Sequence, residues 1–282
     1  MTGRPLLAAA TLLLTASRLQ AQRPARLPQG ARVERSVAYG PSSAQRLDVY
    51  RPARALDAPI IIMVHGGGWT RGDKTSYGVV QHKVGHWLPK GYIVVSVNYR
   101  MVPAVDVGTE AEDVARAVSY VQQAAARWGG NGDRVVLMGH SAGGHLATLV
   151  AADSALARRA GVRPWLATIG LDAGAYDVTA IMQARHPALY DRAFGSDSVF
   201  WRRVSPTLRL DHATAPLLLV CSSRRRDSCA QATAFEARAR EVGGEASVLP
   251  LDKSHAQIDS QLGADSAYTS AVDVFLAKAG LH

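Results

Sequence analysis

Ser141 lies in Gly139-His140-Ser141-Ala142-Gly143, a G-x-S-x-G pattern. An apolar run, Arg134 to Met138, precedes it, and a small-residue stretch from Gly144 to Ala152 follows. Between a strand and a helix this spacing builds a sharp turn that lifts the serine hydroxyl above the sheet, and glycine on both sides removes the Cβ atoms that would collide there. An unaided hydroxyl is a weak nucleophile at neutral pH, so it needs a base, and the base needs an orienting acid. A second glycine cluster, His65-Gly66-Gly67-Gly68-Trp69, follows the apolar run that ends at Val64. Glycines let the backbone approach a bound group and aim N–H donors at an oxygen that becomes negative during attack on a carbonyl. The N–H groups of Gly67, Gly68 and Ala142 are the candidate donors, and His65 is read as an anchor of the loop.

These residues need a scaffold, and the sequence supplies one. Continuous apolar runs at Pro59–Val64, Tyr92–Asn98, Arg134–Met138, Leu166–Leu171 and Pro216–Val220 read as strands buried on both faces, with Ser247–Leu251 as a last strand. Arg46–Tyr50 reads as a short alternating strand. Helical stretches lie at Glu110–Trp128, Gly144–Ala152, Ala230–Val242 and Ser266–Ala279. Strand–helix alternation implies an α/β fold, a mostly parallel central sheet with helices on both faces. The least regular stretch, 172–210, is a candidate cap or pocket wall, and Trp69, His140 and Trp201 are candidates to line the pocket.

Sites on open α/β sheets gather in loops at the carboxyl ends of strands. His255, just past the last strand, is the candidate base. Asp227, seven residues past Val220, is the candidate acid. Asp172, directly after the preceding strand, is the alternative acid, and Asp252 is too near His255 in sequence. Cys221 and Cys229 bracket the Asp227 loop and could pair in an oxidising compartment. Arg224, Arg225 and Arg226 in that loop read as a solvated face. His82 and His86 could share a helix face, but no H-E-x-x-H pattern accompanies them, and two cysteines are too few for a four-cysteine zinc site.

Over residues 35 to 280 the chain resembles the α/β-hydrolase superfamily, within it the H-G-G-G-W esterase branch. That branch includes hormone-sensitive-lipase-like, feruloyl-esterase-like and kynurenine-formamidase-like enzymes. The resemblance rests on His65-Gly-Gly-Gly-Trp-Thr-Arg-Gly-Asp-Lys74, Asn98-Tyr-Arg-Met-Val-Pro103 and Gly139-His-Ser-Ala-Gly-Gly-His-Leu-Ala147. It implies Ser141 as nucleophile, His255 as base, Asp227 as acid, and no cofactor or metal. Two departures stand out: Asn98 where relatives often carry aspartate, and Cys221-Ser-Ser-Arg-Arg-Arg-Asp227 where they often have a glycine-rich turn. The expected function is a serine carboxylesterase acting on a small-molecule ester through an acyl-enzyme. An aryl formamidase or amidase with the same triad is the alternative, and a catalytically inactive binding module is the alternative of another class.

The 282 residues are 48% hydrophobic and 20% charged, which fits one folded domain and excludes disorder as the main state. The net charge of +9 is spread along the chain without the clustered basic and aromatic residues of a nucleic-acid site. Residues 1–21 read as a signal peptide: Arg4, an apolar run from Leu6 to Ala16, and a small residue at Ala21 before the expected cut. That run is too short to span a bilayer. Removal of 1–21 lowers the charge from +9 to +7 by taking away Arg4 and Arg18. A flexible lead-in over 22–35, a hydrolase domain over 36–282 and a secreted or periplasmic location, without stable membrane insertion after cleavage, are expected.

Overall fold

The computed structural model describes residues 26–281, so the signal peptide expected at 1–21 lies outside the described residues. Eight strands form one sheet: β1 (Arg32–Ala38), β2 (Arg46–Arg51), β3 (Ala58–Val64), β4 (Ile93–Val97), β5 (Gly130–His140), β6 (Ala167–Leu171), β7 (Leu217–Ser222) and β8 (Ala246–Leu251). Their order is β1-β2-β4-β3-β5-β6-β7-β8. β2 runs antiparallel to both β1 and β4, and the strands from β4 to β8 run parallel.

The long helices are α1 (Tyr77–Trp87), α2 (Val107–Ala124), α3 (Ala142–Ala152), α9 (Ser228–Glu241) and α11 (Ser266–Lys278), and α4 (Ser154–Arg159) and α10 (His255–Ser260) are short. Strand side chains alternate between the two faces, which explains why the central strands read as unbroken apolar runs. Ile60, Ile62 and Val64 pack with Val114 and Val118 of α2 and Leu146 of α3. Their neighbours Ile61 and Met63 face the other way, onto Val80 and Val84 of α1 and Val272 of α11. On β7, Leu217 and Leu219 meet Ala232 and Phe235 of α9. Each fully buried apolar side chain of this kind contributes roughly 1.5–3 kcal/mol, so the helices are held chiefly by these faces.

Several elements were not legible as such. β1 begins at Arg32, so the expected lead-in over 22–35 overlaps a strand. It is a polar edge strand with a register shift between Glu34 and Val37, and the buried Asp48 carboxylate holds the shift by accepting the Ser36 N–H at 2.8 Å. α1, α4 and α10 were also unforeseen. Within 172–210 the chain forms four short helices, α5 (Val178–Gln183), α6 (Ala188–Phe194), α7 (Ser198–Arg203) and α8 (Pro206–Arg209). Caps at Asp177 and Asp197 start α5 and α7. The departure at Asn98 has a local cause. Its Nδ2 donates to the Asp73 carboxylate at 2.8 Å and its Oδ1 accepts the Lys74 N–H at 2.6 Å. An aspartate at 98 would set two carboxylates face to face.

Candidate active site

The site begins with backbone geometry at the end of β5. Ser141 has φ 55° and ψ −120°, a strained left-handed conformation between β5 and α3. The turn closes only because its neighbours are small: a Cβ on Gly143 would stand 2.2 Å from the Val64 carbonyl oxygen. The glycine loop after β3 packs against this elbow, since a Cβ on Gly66 would fall 2.8 Å from the Ser141 Cβ. Gly67 has φ +130°, and a Cβ there would stand 1.8 Å from the Arg71 carbonyl oxygen. Gly68 (φ +62°) is open except for Leu189 of α6, which reaches over it. Ala142 is the first residue of α3, so its N–H is among the donors a helix leaves unpaired. The structure therefore brings Gly66 of the glycine loop against the serine elbow, with Ala142 next to the serine in the chain.

Opposite the serine, Ser254 starts α10 with a reciprocal capping box, which fixes the backbone at His255. The imidazole Nε2 accepts from the Ser141 hydroxyl at 2.9 Å. Its Nδ1–H donates to a carboxylate at 2.5 Å, and that carboxylate belongs to Asp172. Asp227 is not brought to the imidazole. It precedes α9 with its side chain 79% exposed, 3.7 Å from the Arg226 guanidinium. Sheet register explains the correction. His140 of β5 is paired with Leu171 of β6, so Ser141 and Asp172 each lie one residue beyond adjacent strand ends. The Ser141 N–H donates to the Leu171 carbonyl, and the Gly174 N–H donates back to the Ser141 carbonyl. Asp227 lies five residues past the end of β7, after a turn that carries it outward.

Asp172 is fully buried. Burial alone would raise its pKa, but hydrogen bonds from His255, Ser228 and the Ser222 N–H, with the Arg225 charge, hold the carboxyl well below the usual range. Its Oδ1 accepts from the Ser222 N–H at 3.0 Å and from the Ser228 hydroxyl. Its Oδ2 accepts from Arg225 Nη1 at 2.8 Å as well as from His255. Ser222, Arg225 and Ser228 were not singled out for this role, because nothing in the local pattern of their loop marks which side chains turn inward. Cys221 and Cys229 form a disulfide, with 5.1 Å between their Cα atoms.

The aromatic candidates fall in different places. Trp69 is buried and works beneath the glycine loop. Its Nε1–H donates to His145 Nδ1 at 3.0 Å, and its ring packs on Phe194 and Tyr190 of α6. It is a support of the loop, so the expected pocket-lining role is corrected. Trp201 is half-buried in the cap and donates to the carbonyls of Phe194 and Gly195. His140 stands behind the base, with ring centroids 4.5 Å apart, and its Nε2–H donates to the His255 carbonyl at 3.0 Å. Lys83 and Asp259, a buried ion pair at 2.7 Å, extend this backing, with Asp259 Oδ2 3.7 Å from His140 Nδ1. His65 is buried and stacked on Tyr99 at 4.6 Å, in keeping with an anchor. His82 and His86 bond to the Ser260 carbonyl and the Asp273 carboxylate.

His145 ties three parts together. It accepts from Trp69 and donates through Nε2 to the Val204 carbonyl of the cap at 2.7 Å, which requires the neutral ring. Burial pushes its pKa down to about 4, against the opposing pull of Val204. As pH falls from 6.5 towards 4 the unfolded chain takes up a proton that the folded ring refuses, so stability is lost across that window and is whole above it. At about 1.4 kcal/mol per pKa unit this reaches ~3 kcal/mol. His140, also pushed to about 4 chiefly by burial, adds to the same slope. Urea midpoints at several pH values should fall steeply on acidification, and less steeply in His145→Gln; an unchanged slope in that variant would remove His145 from this account.

Comparison with known proteins places this geometry. A family model described as BD-FAE matches residues 47–224. A probable isoprenylcysteine alpha-carbonyl methylesterase of Arabidopsis thaliana is 33% identical over 116 residues, 41% of this chain and 24% of that protein. The probable carboxylic ester hydrolase LipM of Mycobacterium tuberculosis is 31% identical over 168 residues, 54% of this chain and 37% of that protein. A kynurenine formamidase of Salmo salar is 32% identical over 148 residues, 52% of this chain and 47% of that protein. The chain thus spans less than half the length of these relatives. Among solved structures, esterase B from Lactobacillus rhamnosis superposes with a TM-score of 0.73 at 22% identity, over 96% of this chain and 92% of that one. A truncated carbohydrate esterase from gut microbiota superposes with a TM-score of 0.73 at 17% identity, over 88% and 96%. The shared architecture is that of the α/β-hydrolases.

Proposed function

From the premise that this chain belongs to the BD-FAE family, we propose that it is a serine carboxylesterase that cleaves small-molecule esters through an acyl-enzyme on Ser141. The observation that carries the reading is the continuous chain Ser141 Oγ–His255 Nε2 at 2.9 Å and His255 Nδ1–Asp172 Oδ2 at 2.5 Å, with Gly66 of the glycine loop packed against the serine; the N–H groups of Gly67, Gly68 and Ala142 are the donors proposed for it. Ser141 attacks the ester carbonyl while His255 takes the hydroxyl proton. The carbonyl oxygen, now negative, is met by the backbone donors. His255 then protonates the leaving alcohol, and a water deprotonated by His255 releases the acid and frees Ser141. Asp172 holds the Nδ1–H tautomer and stabilises the imidazolium without taking the proton.

A formamide substrate is the second reading, favoured by the likeness to the Salmo salar kynurenine formamidase. The same machinery serves it, with an amine as leaving group. A panel of p-nitrophenyl and aryl esters of graded acyl length, run beside aryl formamides, separates the two. Turnover of esters well above that of formamides supports the first reading, the reverse order supports the second, and failure of a fluorophosphonate probe to label the protein would sink both. Export to an oxidising compartment accompanies the proposal. The paired Cys221 and Cys229 support it, as does the leader-like composition of residues 1–21.

A further inference from the structure

We propose that the Ser222–Ser228 loop, closed by the Cys221–Cys229 disulfide, is a clamp that positions the triad acid Asp172, with Arg225 as its main positioning residue. This rests on the reading of Asp172 as the acid. The Asp172 carboxylate, one residue past β6, receives four donors, and three come from the β7–α9 connection with its two end residues: the Ser222 N–H, the Ser228 hydroxyl and Arg225 Nη1. The fourth is the His255 ring. The two donors to Oδ1 adjoin the two cysteines in sequence, so the disulfide ties together the ends of the loop from which they come. A second tie fixes the loop to the base: the Ser222 hydroxyl donates to the Lys253 carbonyl at 2.6 Å, two residues before His255.

The three arginines of this loop behave differently, which separates a clamp from a merely basic surface. Arg224 reaches outward to Asp252, with side chains 51% and 82% exposed. Arg226 is 95% exposed. Arg225 alone turns inward, with a side chain 35% exposed, onto the buried acid. Its Nη1 stands 3.3 Å from His255 Nδ1. That nitrogen keeps its proton and donates it in the hydrogen bond to Asp172, so it has no lone pair to accept from the guanidinium, which acts through the carboxylate. Arg225 and His255 share Oδ2, and the two loop donors hold Oδ1, which together stop the carboxylate from rotating. The imidazole inherits that fixed direction, and with it the line from Nε2 to the Ser141 hydroxyl. A small misplacement in such an array costs turnover more than binding.

The test is steady-state kinetics on the best ester of the panel, with Arg225→Ala, Arg225→Lys, Asp172→Asn, the Arg225→Ala/Asp172→Asn double variant and a Cys221→Ala/Cys229→Ala variant. Arg225→Ala is expected to lower kcat by about ten- to a hundred-fold, with KM and the unfolding midpoint close to the parent's, and Arg225→Lys to recover part of the loss. In the Asp172→Asn background the same arginine change should cost little, because its route to the base is gone. The cysteine variant should lose kcat in the same direction. An Arg225→Ala enzyme with parental kcat, a loss confined to KM, or an equally deep loss in the Asp172→Asn background would overturn the clamp. Parental kcat in the cysteine variant would overturn the part given to the disulfide. Full turnover in Asp172→Asn alone would instead bring down the acid assignment on which the clamp depends.

Discussion

Replacing Ser141 by alanine is expected to remove about six orders of magnitude of turnover. Among the described residues the hydroxyl is the side-chain atom bonded to His255 Nε2, so its loss leaves the base with nothing to activate except water. The backbone donors proposed at Gly67, Gly68 and Ala142 survive the change, and a residual rate roughly 10³–10⁴ above the uncatalysed reaction should persist from them and from substrate binding. The decisive measurements are kcat on an aryl ester and covalent labelling by a fluorophosphonate. Labelling should be lost and kcat should fall to that residual rate while the unfolding midpoint stays put, since an alanine keeps the elbow's Cβ and removes one oxygen. An alanine variant that still turns over near the parental rate would end the account of an acyl-enzyme at this residue.

The second large effect discriminates between two aspartates. Asp172→Asn should lower kcat by about 10⁴, as expected when the acid of a triad becomes an amide. An amide NH2 at Oδ2's position would ask the imidazole to accept at Nδ1, which puts the proton on Nε2, where it faces the Ser141 hydroxyl as a donor and cannot take the serine's proton. Asp227→Asn should leave kcat within about twofold, because a side chain so exposed, with one loose ion pair, contributes little. Side-by-side kinetics of the two variants decide the assignment. A deep loss at Asp227 with none at Asp172 would reverse it and would require the β7 loop to refold around the imidazole.

Much of the site was readable because it is local. The elbow at Ser141 and the glycine turn at 66–68 each occupy five residues or fewer, and each follows a strand whose unbroken apolar run announces burial on both faces. His255 was readable for a similar reason, as the histidine just past the last strand. The edge strand β1 escaped because its composition is polar and its pairing depends on the distant Asp48. The cap helices escaped because each is too short to show a helical period, and their hold on the core runs through contacts such as Tyr190 and Phe194 on Trp69.

The sequence by itself singled out Ser141, His255, the glycine loop and the order of alternating elements, since these depend on neighbours along the chain and on which runs are apolar. Only the tertiary structure decided which aspartate meets His255. Asp172 and Asp227 both follow strands, and no pattern within either segment ranks them. The choice came from the register of β5 against β6, which sets Asp172 level with Ser141, and from a turn after β7 that sends Asp227 into solvent and Arg225 inward. Such outcomes belong to pairings between residues dozens of positions apart, whose energies are settled by the packed sheet as a whole.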